Sequence, residues 1–161
     1  MTNEYANQNP FEGCGESKIF ENGTYIEPGK YRLKVIKCIL KDTLNSGKAF
    51  IAEFEVVETV NGDHTPGDTV TWFQKMSYRA VALSSIKTFA AAVMGVRYND
   101  TESLSRLSAS LDQVMLAAVS DKPVGKFPAH ILDGREVLCE AYSATSKKGI
   151  EITRHNWSPA T

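Results

Sequence analysis

The sequence predicts a mainly β domain with a helical insertion, in the order β-β-β-α-α-β-β, its five strands forming a small barrel. Three observations carry that expectation. Residues 30–76 hold three runs of alternating or β-branched and aromatic residues, parted by Gly, Pro, Asn and Asp clusters. The period then changes to steps of three and four residues between Leu83 and Ala118. Two more strand-like runs close the chain, joined by Lys147-Lys148-Gly149.

Residues 1–23, rich in Asn, Glu and Gly, read as a loose arm in which Phe11, Ile19 and Phe20 are able to dock, and 24–161 as the domain. Tyr25 to Lys30 is a turn, with Pro28-Gly29 suited to the centre of a type II geometry. The first strand runs from Lys30 to Lys41, with Tyr31, Leu33 and Val35 alternating against Arg32, Lys34 and Ile36. Its alternation blurs from Ile36 to Leu40, which predicts a bulge or bend of the kind a long first strand needs to serve a whole barrel. The second strand, Ala49 to Thr59, puts Phe50, Ala52, Phe54 and Val56 on one face and Glu53 and Glu55 on the other. The third, Asp68 to Met76, is dense in Thr, Val, Trp and Phe.

Ser77 is an N-cap candidate for a helix that ends at Gly95, and Asn99-Asp100 opens a second helix with Leu104, Leu107, Leu111, Val114 and Ala118 on one stripe. Residues 121–134 carry Pro123, Gly125, Pro128 and Gly134 and read as a loop, with a short strand inside it as the alternative. Arg135 to Thr145 and Ile150 to Trp157 make the closing hairpin. Three meandering strands, helices, then a hairpin is the sequential plan of an oligonucleotide-binding barrel. An α+β sheet packed on one helical layer satisfies the same string.

At 161 residues, 42% hydrophobic and 23% charged, the chain fits one ordinary globular domain. No apolar run approaches the ~20 residues that span a bilayer, and the first residues lack the plan of a signal peptide. Cys14, Cys38 and Cys139 are odd in number and widely spaced, which fits a reducing cytoplasm better than a disulfide framework. The net charge of −1 conceals an asymmetry, because residues 1–28 sum to −4. Tyr31 to Lys41 contains Arg32, Lys34, Lys37 and Lys41 and no acid.

Catalytic patterns are weak. His64, His130 and His155 have no carboxylate or thiolate at metal-ligand spacing, and there is neither a phosphate loop nor a nucleophile elbow. Each His fits a structural or incidental place. Glu53 and Glu55 share a strand face, and a metal-dependent nuclease built on them is the weakest of three functional readings. No cofactor and no metal is expected.

The binding pattern is spread along the strands. Two Lys-bearing turns, Lys41 to Lys48 and Thr145 to Gly149, occupy the serial positions that flank the binding face of an oligonucleotide-binding barrel. Single-stranded nucleic acid offers phosphates to cations and unstacked bases to flat rings. The candidates for phosphates are Lys34, Lys37, Lys41, Lys48, Lys75, Lys147, Lys148 and Arg154; for bases, Trp72, Phe73, Tyr142 and Trp157. Phe73 shares a face with Thr71 and Lys75 and is the favoured displayed ring of its pair, with Trp72 the alternative. Val137, Cys139 and Ala141 face inward, leaving Tyr142 outward. On the last strand Ile150 and Ile152 face inward, so that Arg154 shares their parity and is displayed only if the strand has left the core by then, while Trp157 has the outward parity. Strand aromatics and hairpin lysines also occur as plain core and solvated tip. The coincidence of both sets favours binding.

The chain resembles the small single-stranded-DNA-binding proteins of tailed bacteriophages, which have an oligonucleotide-binding fold. The resemblance spans roughly residues 24–158 and rests on Gly29-x-Tyr31-x-Leu33-x-Val35, Thr43-x-x-Ser46-Gly47-x-x-Phe50-Ile51-x-x-Phe54-x-Val56, Gly67-x-x-Val70, and Gly149-x-x-x-Thr153-x-x-x-Trp157 with Pro159. It implies non-catalytic protection of single-stranded DNA in phage replication or recombination, in the host cytoplasm, with phage or host replication and recombination proteins as partners. Many such proteins end in an acidic tail, whereas this chain ends Asn156-Trp157-Ser158-Pro159-Ala160-Thr161. The competing expectation is a phage protein-interaction module acting on a host protein, presented by the helical insertion. Oligomeric state and the choice of DNA over RNA are not encoded in any spacing.

Overall fold

A computed structural model describes residues 24–43, 47–76, 79–97 and 99–160. The arm at residues 1–23, the first turn's tip at 44–46, the Ser77 cap and Thr161 lie outside the described residues. In chain order the elements are β1 (Thr24–Tyr25), β2 (Gly29–Thr43), β3 (Gly47–Val60), β4 (Thr69–Lys75), α1 (Arg79–Val93), α2 (Thr101–Ala118), β5 (Glu136–Thr145) and β6 (Glu151–Pro159). The mainly β architecture with two helices is as expected, but the strand count is six. The added strand, β1, is two residues long and pairs parallel with Val70 and Thr71 of β4.

All six strands form one sheet in the order β1-β4-β3-β2-β5-β6. β2, β3 and β4 meander, and β5 returns after both helices to lie beside β2, which is a Greek-key arrangement. The bulge expected after Val35 is present. Val35 faces Phe54 and Lys37 faces Glu53, so Ile36 is the extra residue. A second slip leaves Val57 extra on β3, between the Arg32–Glu58 and Leu33–Val56 pairs.

These irregularities accompany a strong curl. β4 and β6 are four strand steps apart, about 19 Å in a flat sheet, yet the Trp72 and Trp157 ring centroids are 5.0 Å apart. Phe89 of α1 plugs the curl at 5.1 Å from Trp72, 4.9 Å from Trp157 and 5.8 Å from Phe54. Leu33, Val35, Val56, Val70 and Val137 line the interior, with Val114 and Ala118 of α2 and Leu132 of the following loop behind them.

The helix ends follow their sequence signals. Gly95 adopts φ +82°, and the Gly95 and Val96 N–H groups donate to Ala92 O and Ala91 O in a Schellman pattern. Asp100 caps α2 by accepting from the Ser103 N–H at 3.2 Å. At the entry of β2, His64 Nε2 accepts from the Glu27 N–H at 2.9 Å, and Tyr31 Oη donates to Glu27 O at 2.8 Å while accepting from the Asp63 N–H at 3.2 Å. The loop after β3 is thereby strapped to the entry of β2. Among the described residues no helix is long and apolar enough to cross a membrane.

Candidate nucleic-acid interface

Curling brings the two sides of the sheet together without joining them. Among the described residues no ladder links β4 to β6, and the seam between them is a groove of about 430 Å³. β4 supplies Trp72 and Gln74. α1 supplies Val81, Ser84, Ser85 and Thr88, whose spacing places them on one flank of the helix. Ile152 to Trp157 of β6 form the facing wall, and Tyr142 of β5 stands at the rim. Because β6 is an edge strand, side chains from both of its faces reach the groove.

The stems of both hairpins meet this seam. Gln74 pairs with Phe50 near the start of β3, and the Met76 N–H donates to Lys48 O at 3.0 Å. The second hairpin lines the other wall and carries Lys147 and Lys148 at its exposed tip. That tip is shaped by Gly149 at φ +80° and by the Ser146 N–H donating to Ile150 O at 2.8 Å.

The groove's chemistry is asymmetric. Among the described residues its lining holds one guanidinium, Arg154, with neutral hydroxyls and amides and no carboxylate. Tyr142 and Arg154 are register partners on the β5–β6 ladder and both are exposed. Across such a pair the Cβ atoms stand about 5 Å apart, so a ring and a planar cation share the rim. On the floor, His155 stacks on Trp157 with ring centroids 5.9 Å apart and planes 16° apart. Burial pushes the His155 imidazole down to about 4, so it is neutral near pH 7.

No protein-family model matches the chain, and no curated protein matches it.

The twelve residues expected to bind fall into distinct places. Trp72, Tyr142, Arg154 and Trp157 come together in the groove, with Lys75 beside Gln74 at the end of β4. The two tryptophans, however, are only 5% and 6% exposed. They form the floor and core and are not free platforms for a base. Trp157 therefore corrects the expected parity of the last strand. Cys139 faces Trp157 and Ala141 faces His155 in the ladder, so these rings share the inward side, while Arg154, opposite Tyr142, points out. Ile150 was a poor anchor for that parity because it is 59% exposed beside the hairpin tip. Phe73 is half-buried on the outer side, opposite Ile51.

The cations of β2 and the first hairpin lie elsewhere, and most of them face acids. Arg32 bridges Glu58 at 3.2 Å and Glu136 at 3.0 Å, Lys37 meets Glu53 at 3.7 Å, and Lys48 meets Asp42 at 2.9 Å. Lys34 stands opposite Glu55 in one ladder and Glu136 in the other. Lys41 is half-buried opposite Ala49. Within the acid-free run from Tyr31 to Lys41, Arg32 and Lys37 are thus paired with acids of neighbouring strands, and Glu53 is the counter-charge of Lys37 while Glu55 stands opposite Lys34 in the register. Sequence reasoning missed Gln74, Ser84, Ser85, Thr88, Thr153 and Asn156. Only the i, i+3, i+4 recurrence of hydroxyls on α1 hinted at a polar wall.

Two thiols, those of Cys38 and Cys139, lie in the interior. Burial pushes Cys38 up to about 12 and raises Cys139 further, holding both protonated. His130 Nε2 bonds Asp121 Oδ1 at 2.9 Å, and the His130 backbone N–H donates to Ala117 O at 2.7 Å, tying the loop to the end of α2.

Proposed function

We propose that this chain binds single-stranded DNA without catalysis, as a sequence-tolerant protector in phage replication or recombination, and that the strand runs through the β4–β6 seam. The observation that carries this reading is the Tyr142–Arg154 pair at the mouth of a groove that, among the described residues, holds no carboxylate. A base stacks on the tyrosine ring while the guanidinium takes the adjoining phosphate. Lys75 at one end and Lys147 and Lys148 at the other extend the phosphate track. Hydroxyls and amides of α1 and β6 bond the backbone without fixing a sequence.

The Greek-key order supports reading the sheet as an oligonucleotide-binding barrel, with β1 an addition and the seam its open side. The diffuse resemblance to phage single-stranded-DNA-binding proteins points the same way. Duplex DNA does not fit this reading, because paired bases present no free face to Tyr142. The test is a titration of labelled oligo-dT, matched single-stranded RNA and matched duplex at several salt concentrations. Submicromolar, salt-weakened binding to oligo-dT with weak duplex binding is expected. Equal affinity for duplex, or no binding at low salt, overturns the proposal.

A further inference from the structure

The opposite flank of α1 carries a second surface. Leu83, Ile86 and Lys87 face Leu111, Asp112 and Leu116 of α2 across a cleft of about 490 Å³. Helical spacing separates this flank from the Ser84–Thr88 flank that walls the seam, with the buried stripe of Ala82, Ile86 and Phe89 between them. The cleft is mostly apolar, and Leu83 and Leu116 are 42% and 56% exposed on it. One cation and one anion stand on its facing walls, and among the described residues neither Lys87 nor Asp112 has an ion-pair partner.

We infer that this cleft is a twofold self-association surface whose occupant is a second copy of the chain. An isologous contact needs a patch complementary to itself. Here a twofold rotation sets Lys87 of each copy against Asp112 of the other, while each Leu116 enters the cleft opposite. Leu116 is both wall and knob, since it lines the cleft and projects from it. A net charge of −1 leaves little long-range repulsion between copies. The 18-residue α2 is ~27 Å long, and a two-helix face of that length presents roughly 500 Å². That is below the ~800 Å² per partner of a standard stable interface, which fits a weak, transient dimer. Both seams remain open, because they lie on the other flank of each α1.

Sedimentation velocity of the full chain, from about 5 to about 200 μM, tests the inference. A monomer–dimer equilibrium is expected in that range. Leu116→Glu should leave only monomer. Lys87→Glu and Asp112→Lys should each raise the dimer dissociation constant roughly tenfold, because each disturbs two symmetry-related pairs. The double reversal should return it to within about threefold of the parent. Asp112 and Leu116 are exposed and Lys87 is half-buried, and far-UV circular dichroism verifies that each variant folds. A parent chain monomeric at the highest concentration overturns the inference. A dimer indifferent to Leu116→Glu, or a double reversal without recovery, overturns it as well.

Discussion

Tyr142 and Arg154 face each other across the β5–β6 ladder and are the exposed ring and exposed guanidinium at the rim of the seam. Neither belongs to the core, so each can be removed without loosening it. Tyr142→Ala should weaken oligo-dT binding by about 1–3 kcal/mol, the value of one stacked base. Arg154→Ala should weaken it and lower the slope of log affinity against log salt by about 0.7, the loss of one phosphate contact. Fluorescence anisotropy at four salt concentrations reads both effects, and urea unfolding midpoints should stay at the parent value.

The lysines should separate into two classes. Lys147 and Lys148 have no ion-pair partner among the described residues, whereas Lys37 is held by Glu53 at 3.7 Å. Replacing Lys147 and Lys148 together by Ala should cost at least tenfold in affinity at low salt. Lys37→Ala should cost less than twofold, since its charge is already offset by a carboxylate. Equal losses from the two variants would place the strand along β2 instead of the seam.

The tryptophans give a spectroscopic contrast. At 5% and 6% exposure, Trp72 and Trp157 should emit at short wavelength and resist acrylamide. Oligo-dT should therefore leave most of their emission intact, since the stacking ring is Tyr142. Strong quenching on binding would require Trp157 or Trp72 to leave the interior.

Local signals foretold much of this architecture. Hairpin turns, the Gly95 and Asp100 helix boundaries and the slip after Val35 each follow from residues next to the feature itself. β1 did not announce itself, because two residues carry no period and are held only by pairing with Val70 and Thr71. The seam was hidden for a related reason. Its walls come from β4, α1, β5 and β6, and neutral Ser, Thr, Gln and Asn side chains leave no charge pattern to join them. The cations of β2 misled in the opposite sense: clustered along the chain, they are dispersed among acids by the register with β3 and β5.

The strap around Tyr31 should be intolerant of bulk. A Cβ on Gly62 would stand 2.4 Å from the Tyr31 ring, and one on Gly29 would stand 2.4 Å from Gly62 Cα. Both contacts are far inside van der Waals range and the ring is buried, so relief requires moving the loop. Gly62→Ala should destabilise by about 1–3 kcal/mol by overpacking. Tyr31→Phe, which deletes the hydroxyl bonded to Glu27 O and the Asp63 N–H, should cost about 1–2 kcal/mol. Chemical denaturation at neutral pH measures both.

Acid should act through His155. Its folded pKa is depressed from 6.5 to about 4 by burial between Trp72 and Trp157. Between those values the unfolded chain binds a proton that the folded chain refuses, so stability falls as pH drops through the window and is unaffected above it. The loss across the window is about 3 kcal/mol. Carboxylates titrate at its lower end, so the informative quantity is the difference from His155→Phe, which keeps a flat ring on Trp157 and carries no proton. Urea unfolding near pH 7 and near pH 4.5 should show the parent losing about 2–3 kcal/mol more than the variant. Equal losses in the two chains would mean that His155 is solvated in the folded state and that the seam floor is wet.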